Sequence, residues 1–240
     1  MTYPLTLILM PWGRVGSNMV LNAIAHFHKA DVYNEMLTRI ATMYASEPLP
    51  VIAAHQADWL AQHATRATLK RPTVVNHAAL STADPQGFVD WMERESPQII
   101  TLDRHDDLSV ALSSARVAAW VAEGAARGEK RNWAIQTDVD FRPDIDPAVV
   151  RKNLESVSKG RAMLYDLVGS QSHLALYYED LILDLDGCMS DILRRVGVAR
   201  NPFRISSRKF GGSDLHKLVG NPQDIAGIVA EHAGRTVITA

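Results

Sequence analysis

The stretch that most constrains this chain is Leu7-Ile8-Leu9-Met10-Pro11-Trp12-Gly13-Arg14-Val15-Gly16-Ser17-Asn18-Met19-Val20-Leu21. Thr6 to Met10 is a short apolar run of β character, Pro11 to Val15 is broken by proline and glycine, and a helical pattern starts at Ser17. The reading is strand, glycine loop, helix. A turn of this kind aims the free N–H groups of the helix start at whatever sits in the loop, and the helix dipole adds partial positive charge there. The natural occupant is a phosphate or a sulfate.

The side chains sharpen that expectation. Arg14 brings a permanent cation with forked donors, Ser17 a hydroxyl and Asn18 an amide, while Gly13 and Gly16 let backbone approach a ligand closely. The nucleotide-hydrolase pattern G-x-x-x-x-G-K-[ST] needs a lysine followed by a hydroxyl ligand for magnesium. Here Arg14 precedes Gly16 and no lysine follows, which disfavours a magnesium-triphosphate site. Taken alone, the loop also fits a tight strand-to-helix turn carrying a surface arginine.

With 240 residues and 47% hydrophobic content, the chain can bury a full core, and a single domain over 1–240 is the expectation. The formal charge of −2, from 25 basic and 27 acidic residues, sets up no global field toward nucleic acid or a membrane, so any anion site is local. A single cysteine, Cys188, excludes an intrachain disulfide and a cysteine-rich zinc site, and fits a reducing cytoplasm. The nine histidines show neither HExxH nor paired metal-ligand spacing, so no metal is expected. No signal peptide or membrane span is expected either, because the first apolar run ends at Pro11.

Along the chain, Ser17 to Lys29 has helical periodicity and leads into Asp31-Val32-Tyr33-Asn34-Glu35-Met36-Leu37. In an α/β sheet Glu35 can fold back over the edge that carries the loop, where a carboxylate can take a proton from a hydroxyl. The alternative is a solvated or capping glutamate. Leu37 to Lys70 reads as helical with a break at Glu47 to Pro50. Pro72 to His77 and Gln98 to Leu102 read as strands, with a helix from Gln86 to Glu95 between them. Alternating strands and helices argue for a parallel, doubly wound sheet.

The strand ending at Leu102 runs into Asp103-Arg104-His105-Asp106-Asp107, and a helix restarts at Leu108. Ligands bind beyond the carboxyl ends of such strands, which directs Arg104 and the glycine loop into one crevice. Ser109 and Ser113 share a helix face. The alternative there is a surface salt bridge from Arg104 to Asp106 or Asp107. Glu123 to Pro147 reads as a long loop containing Trp133, Ala148 to Leu167 as a helix, Leu174 to Tyr178 as a strand and Gly187 to Val196 as a closing helix. Arg208, Lys209, Gly211, Gly212 and Lys217 form a local basic cluster.

Taken in order, these segments resemble the sulfotransferases that use 3′-phosphoadenosine 5′-phosphosulfate (PAPS), in particular the bacterial carbohydrate type acting on nodulation factors and trehalose. Gly13 to Asn18 is similar to the family's 5′-phosphosulfate loop. Tyr33-Asn34-Glu35 is similar to the acidic element whose glutamate is the family's proposed base. Leu102 to Ser113 resembles the 3′-phosphate strand and helix, Tyr177 to Leu181 resembles Y-E-D-L, and Arg208-Lys209 with Leu215 to Asn221 resembles the segment that closes over the nucleotide.

The resemblance implies a P-loop-like three-layer α/β/α fold with a central, mainly parallel sheet. It implies PAPS as co-substrate with no metal required. It implies Arg14, Val15, Gly16, Ser17, Asn18, Arg104, Ser113, Arg208 and Lys209 as nucleotide-binding residues, and Glu35 with Arg14 as catalytic residues. The acceptor would be a carbohydrate or other small molecule, and the oligomeric state, monomer or homodimer, stays open. Two departures stand out: Gly13 and Val15 occupy places where the family carries proline and a hydroxyl residue, and His105 stands where a second basic residue often follows the arginine. Without the resemblance, a P-loop kinase-like phosphotransferase or a non-catalytic nucleotide-binding protein fits the same residues.

Overall fold

The structure is a computed structural model and describes residues 3–26, 30–130, 141–198 and 215–236. These fall into two compact units, Met1–His105 with Ser158–Ile205 and Asp106–Val157 with Ser206–Ala240. Among the described residues no helix is long and apolar enough to cross a membrane.

The first unit is built on a five-stranded sheet. Its strands are β1 (Leu5–Met10), β2 (Asp31–Asn34), β3 (Thr73–Ala78), β4 (Gln98–Asp103) and β5 (His173–Tyr177), in the order β2-β3-β1-β4-β5 with every pairing parallel. β1 is central, and all six of its residues are buried, as expected of a continuous apolar run covered on both faces. One face carries Leu5, Leu7 and Leu9. These pack in one cluster with residues of α2 (Met36–Met43), α3 (Leu49–His63), α4 (Pro85–Glu95) and the second half of α6 (Pro147–Val168), including Leu37, Leu60, Trp91 and Leu164. Burial of each such large side chain contributes about 1.5–3 kcal/mol.

The other face carries α8 (Leu185–Val196), where the Thr6 hydroxyl lies 3.5 Å from the Arg195 carbonyl. The connection from β1 to β2 runs along the sheet in the direction opposite to those leading to β3 and β4. A right-handed crossover therefore places its helix, α1 (Ser17–His26), on this second face as well. This is the P-loop-like α/β arrangement expected from the sequence. Because the chain leaves β1 toward β2 and leaves neighbouring β4 toward β5, the two loops diverge. The carboxyl ends of β1 and β4 are therefore the topological switch point of the sheet, the place where ligands bind in open α/β folds.

Local sequence explains the helix ends. Asp84 accepts the Gly87 N–H at 3.0 Å ahead of Pro85 in α4, and Asp184 accepts the Gly187 N–H at 2.9 Å for α8, which stops at Gly197 in left-handed conformation.

The second unit contains α5 (Asp107–Ala126), the first half of α6, α9 (Leu215–Leu218) and α10 (Pro222–Thr236). Its core joins Ala111, Leu112 and Ala115 of α5 to Val150, Leu218, Ile225 and Ile228. Asn221 pins the segment before α6 by donating to the Ile145 carbonyl at 3.0 Å and accepting the Ile145 N–H at 2.9 Å.

Asp31–Asn34, to which the sequence reading assigns no element, is a strand, held by β3 along one edge although only Val32 and Tyr33 have strong β character. Two readings need correction. Tyr178 does not end β5 but starts a helix, α7 (Tyr178–Leu183). The segment expected to loop from Glu123 remains helical through Ala126, closed by an ion pair between Arg127 and Glu123. Trp133 lies outside the described residues.

Candidate active site

The loop after β1 turns through two left-handed residues, Arg14 at φ 71° and Gly16 at φ 92°, before the Gly16 carbonyl accepts the Met19 N–H at 3.0 Å and α1 begins. Arg14 has a Cβ, so this backbone is strained, at a cost of order 1–3 kcal/mol. Among the described residues only Arg14, Glu35 and Ser96 are non-glycine residues with positive φ, and two of these three are the proposed catalytic pair. Val15 is fully buried beneath the loop, Ser17 is buried, and Asn18 is half-buried at the helix start.

Glu35 (φ 52°) follows β2 and stands at the N-cap position of α2, yet its carboxylate makes no capping hydrogen bond. Its backbone is held instead: its N–H donates to the Asn76 carbonyl at 3.1 Å, and its carbonyl accepts the Arg39 N–H at 2.8 Å. A run of amides joins this strand end to the loop. Asn76 of β3 donates to Asn34 at 2.9 Å, and Asn34 reaches Asn18 at a long 3.5 Å.

Arg104 leaves β4 with its guanidinium carbon 4.7 Å from the centre of the Tyr178 ring, a cation–π distance, and its Nε 3.7 Å from Glu179 Oε1. The carboxylate partner is thus Glu179, from α7, rather than Asp106 or Asp107; the Asp106 side chain caps α5 by accepting the Ser109 N–H at 2.9 Å. Glu179 also accepts the His105 N–H at 3.2 Å, and the His105 ring stacks on Tyr177 at 3.9 Å. Arg104 Nε is buried and has no hydrogen-bond partner among the described residues, so its guanidinium carries charge that is only partly met.

Electrostatics tie these residues together. Burial lowers the Arg14 pKa from the usual arginine value; Glu35 opposes the shift and Arg104 adds to it. Burial also raises the Glu35 carboxyl above the ordinary carboxylate range, opposed by Arg39 and Arg14. Arg14 therefore feels the like charge of Arg104 and the opposite charge of Glu35, three groups that follow the carboxyl ends of β1, β4 and β2. Like charges gathered in a partly desolvated place fit a polyanionic ligand.

Ser113 lies on α5 in the second unit. Arg208 and Lys209 lie outside the described residues. Sequence reasoning missed Tyr178 as a neighbour of the site and missed Arg161 altogether. A Cβ on Gly16 would stand 2.6 Å from Tyr178 Cδ2, and Arg161 binds Asp103 with Nε at 2.6 Å and a terminal nitrogen at 3.1 Å.

No family model matches the chain, and no curated protein matches it. Solved structures similar to it include the sulfotransferase domain from the curacin biosynthetic pathway, at 13% identity over 95% of this chain and 98% of that one, with a TM-score of 0.45. Another is retinol dehydratase in a complex with retinol and PAP, at 19% identity over 84% of this chain and 62% of that one, with a TM-score of 0.40.

Proposed function

We propose that this protein is a sulfotransferase that moves a sulfuryl group from PAPS to a hydroxyl or amine of a carbohydrate or other small molecule. The observation that carries the reading is the convergence of Arg14, Arg104 and Glu35 at the carboxyl ends of the sheet strands, read with the motif order of the sequence. PAPS supplies, when bound, an activated sulfuryl group on a phosphate leaving group. The residues present suit it: a glycine loop leading into a helix start for one anionic end, and a second cation, under-coordinated in hydrogen bonds, for the other.

Sulfuryl transfer, like phosphoryl transfer, depends on alignment and on stabilising charge at the equatorial and leaving oxygens. Arg14 and the N–H groups of Gly16, Ser17 and Asn18 are oriented before reaction, and Arg14 neutralises charge that develops on the leaving side. Glu35 removes the acceptor proton, and its raised pKa makes it a stronger base than a surface glutamate. Arg104 selects the 3′-phosphate. The further assignments of Ser113, Arg208 and Lys209 to the nucleotide rest on the motifs alone. The test is transfer of radiolabelled sulfuryl from PAPS to a panel of hydroxyl- and amine-bearing small molecules. Labelled product that requires Glu35 supports the reading; protection by magnesium-ATP, with none by adenosine 3′,5′-bisphosphate, overturns it in favour of a phosphotransferase.

A further inference from the structure

Both backbone polar groups of Arg104 are held by one ion pair. Its N–H donates to Asp103 Oδ1 at 2.7 Å, and its carbonyl accepts from an Arg161 terminal nitrogen at 3.1 Å. Arg161 meanwhile grips both Asp103 carboxylate oxygens, at 2.6 and 3.1 Å, and the two side chains are 25% and 11% exposed. A forked guanidinium can serve two carboxylate oxygens and a carbonyl at once; a lysine ammonium at the same place cannot match that geometry. The preceding residue fixes where Arg161 arrives. Gly160 lies so close to the loop after β1 that a Cβ there would stand 2.0 Å from the Pro11 carbonyl oxygen, which only glycine permits. One turn of α6 therefore touches the β1 loop through Gly160 and the end of β4 through Arg161.

We propose that Arg161, paired with Asp103, is the positioning residue that sets Arg104 for the second phosphate of the nucleotide, with Gly160 holding that turn of α6 at the β1 loop. This rests on the sulfotransferase reading for the identity of the ligand. The positioning itself rests on the hydrogen bonds alone. An ion pair that merely supported the fold would affect all ligands alike, whereas one acting through Arg104 affects the 3′-phosphate and nothing else.

The experiment compares wild type, Arg161→Lys, Arg161→Met, Arg104→Ala and Arg104→Ala/Arg161→Met by calorimetry with adenosine 3′,5′-bisphosphate and with AMP, alongside hydrogen exchange at the Arg104 and His105 amides. In wild type the bisphosphate binds more tightly than AMP. Both Arg161 variants are expected to lose about tenfold of that preference while AMP affinity stays within about twofold, and Arg161→Met is expected to add nothing once Arg104 is gone. The Arg104 amide should exchange faster in both variants while β1 amides keep their protection. Unchanged preference with unchanged Arg104 protection, or an equal loss of AMP and bisphosphate binding, overturns the positioning role. A wild type that does not distinguish the two nucleotides overturns the sulfotransferase reading instead, and the exchange result still decides what Arg161 does to Arg104.

Discussion

Gly16 and Tyr178 touch so closely that the ring of Tyr178, which also lies beneath the Arg104 guanidinium, fills the space that a Cβ on Gly16 would need. One aromatic ring thereby lies against both the loop after β1 and the Arg104 guanidinium at the end of β4. Gly16→Ala suffers twice, from a φ of 92° that an L-residue resists and from the collision with the ring. The expected result is a thermal midpoint lowered by several degrees and a bisphosphate affinity reduced about tenfold or more. Tyr178→Ala in the same background, by removing the ring, is expected to recover part of the stability but not the affinity. Thermal unfolding and calorimetry on the three variants read both effects.

Glu35 should give the reaction an acid limb above the ordinary carboxylate range, because burial raises its pKa and only the unprotonated form can accept the acceptor's proton. Arg39 acts against that shift, so Arg39→Ala should move the limb to higher pH, and Glu35→Gln should abolish turnover without abolishing bisphosphate binding. Rate profiles from pH 4 to 9 are the check.

The same shift has a consequence for folding. A carboxyl that binds its proton more tightly folded than unfolded stabilises the fold below its unfolded pKa, and that contribution is lost as pH rises through the folded value. At neutral pH Glu35 is therefore a destabilising charge. Glu35→Gln should raise the thermal midpoint at pH 7.5 and give no gain at pH 4, measured by circular dichroism melts at the two values.

His77, fully buried on β3, behaves oppositely. Its Nε2 lies 2.7 Å from the Thr82 hydroxyl, its ring packs on Phe88 at 5.3 Å, and burial pushes its pKa down to about 3. Between that value and the ordinary histidine value of 6.5, the unfolded chain binds the extra proton, so stability falls as the solution is acidified through this window. The slope from one such group reaches at most about 1.4 kcal/mol per pH unit. His77→Gln should flatten the dependence of the urea midpoint on pH between 6 and 4, whatever it does to absolute stability.

The sheet was largely legible because β1 is a nearly continuous apolar run, and β3 and β4 each carry a β-branched apolar pair, Val74-Val75 and Ile99-Ile100, in a short segment bounded by turn signals. Asp31–Asn34 escaped notice because an edge strand of four half-buried residues has no such run; its partner β3 makes it a strand. At the candidate site, Arg14, Gly16 and Arg104 were singled out from local chemistry that short motifs carry. The Asp103–Arg161 pair was not, since its members are 58 positions apart and meet only through the fold. A signal did exist nearby: Gly160 interrupts an otherwise good helical stretch, and a glycine there marks a close approach of backbone. The choice of Glu179 over Asp106 as the partner of Arg104 was likewise settled by α7 folding beside β4, a tertiary contact that sequence proximity misrepresents.

The claim that Arg14 and Arg104 serve a single ligand is tested most directly by titrating adenosine 3′,5′-bisphosphate, AMP and adenosine 3′-monophosphate into wild type, Arg14→Ala and Arg104→Ala. Arg14→Ala should weaken the two ligands bearing a 5′-phosphate by about tenfold or more and lower sulfuryl turnover about 10²-fold, the scale of losing one charge-stabilising donor. Arg104→Ala should weaken only the two bearing a 3′-phosphate. Wild-type affinity for the bisphosphate retained in both variants would contradict the account.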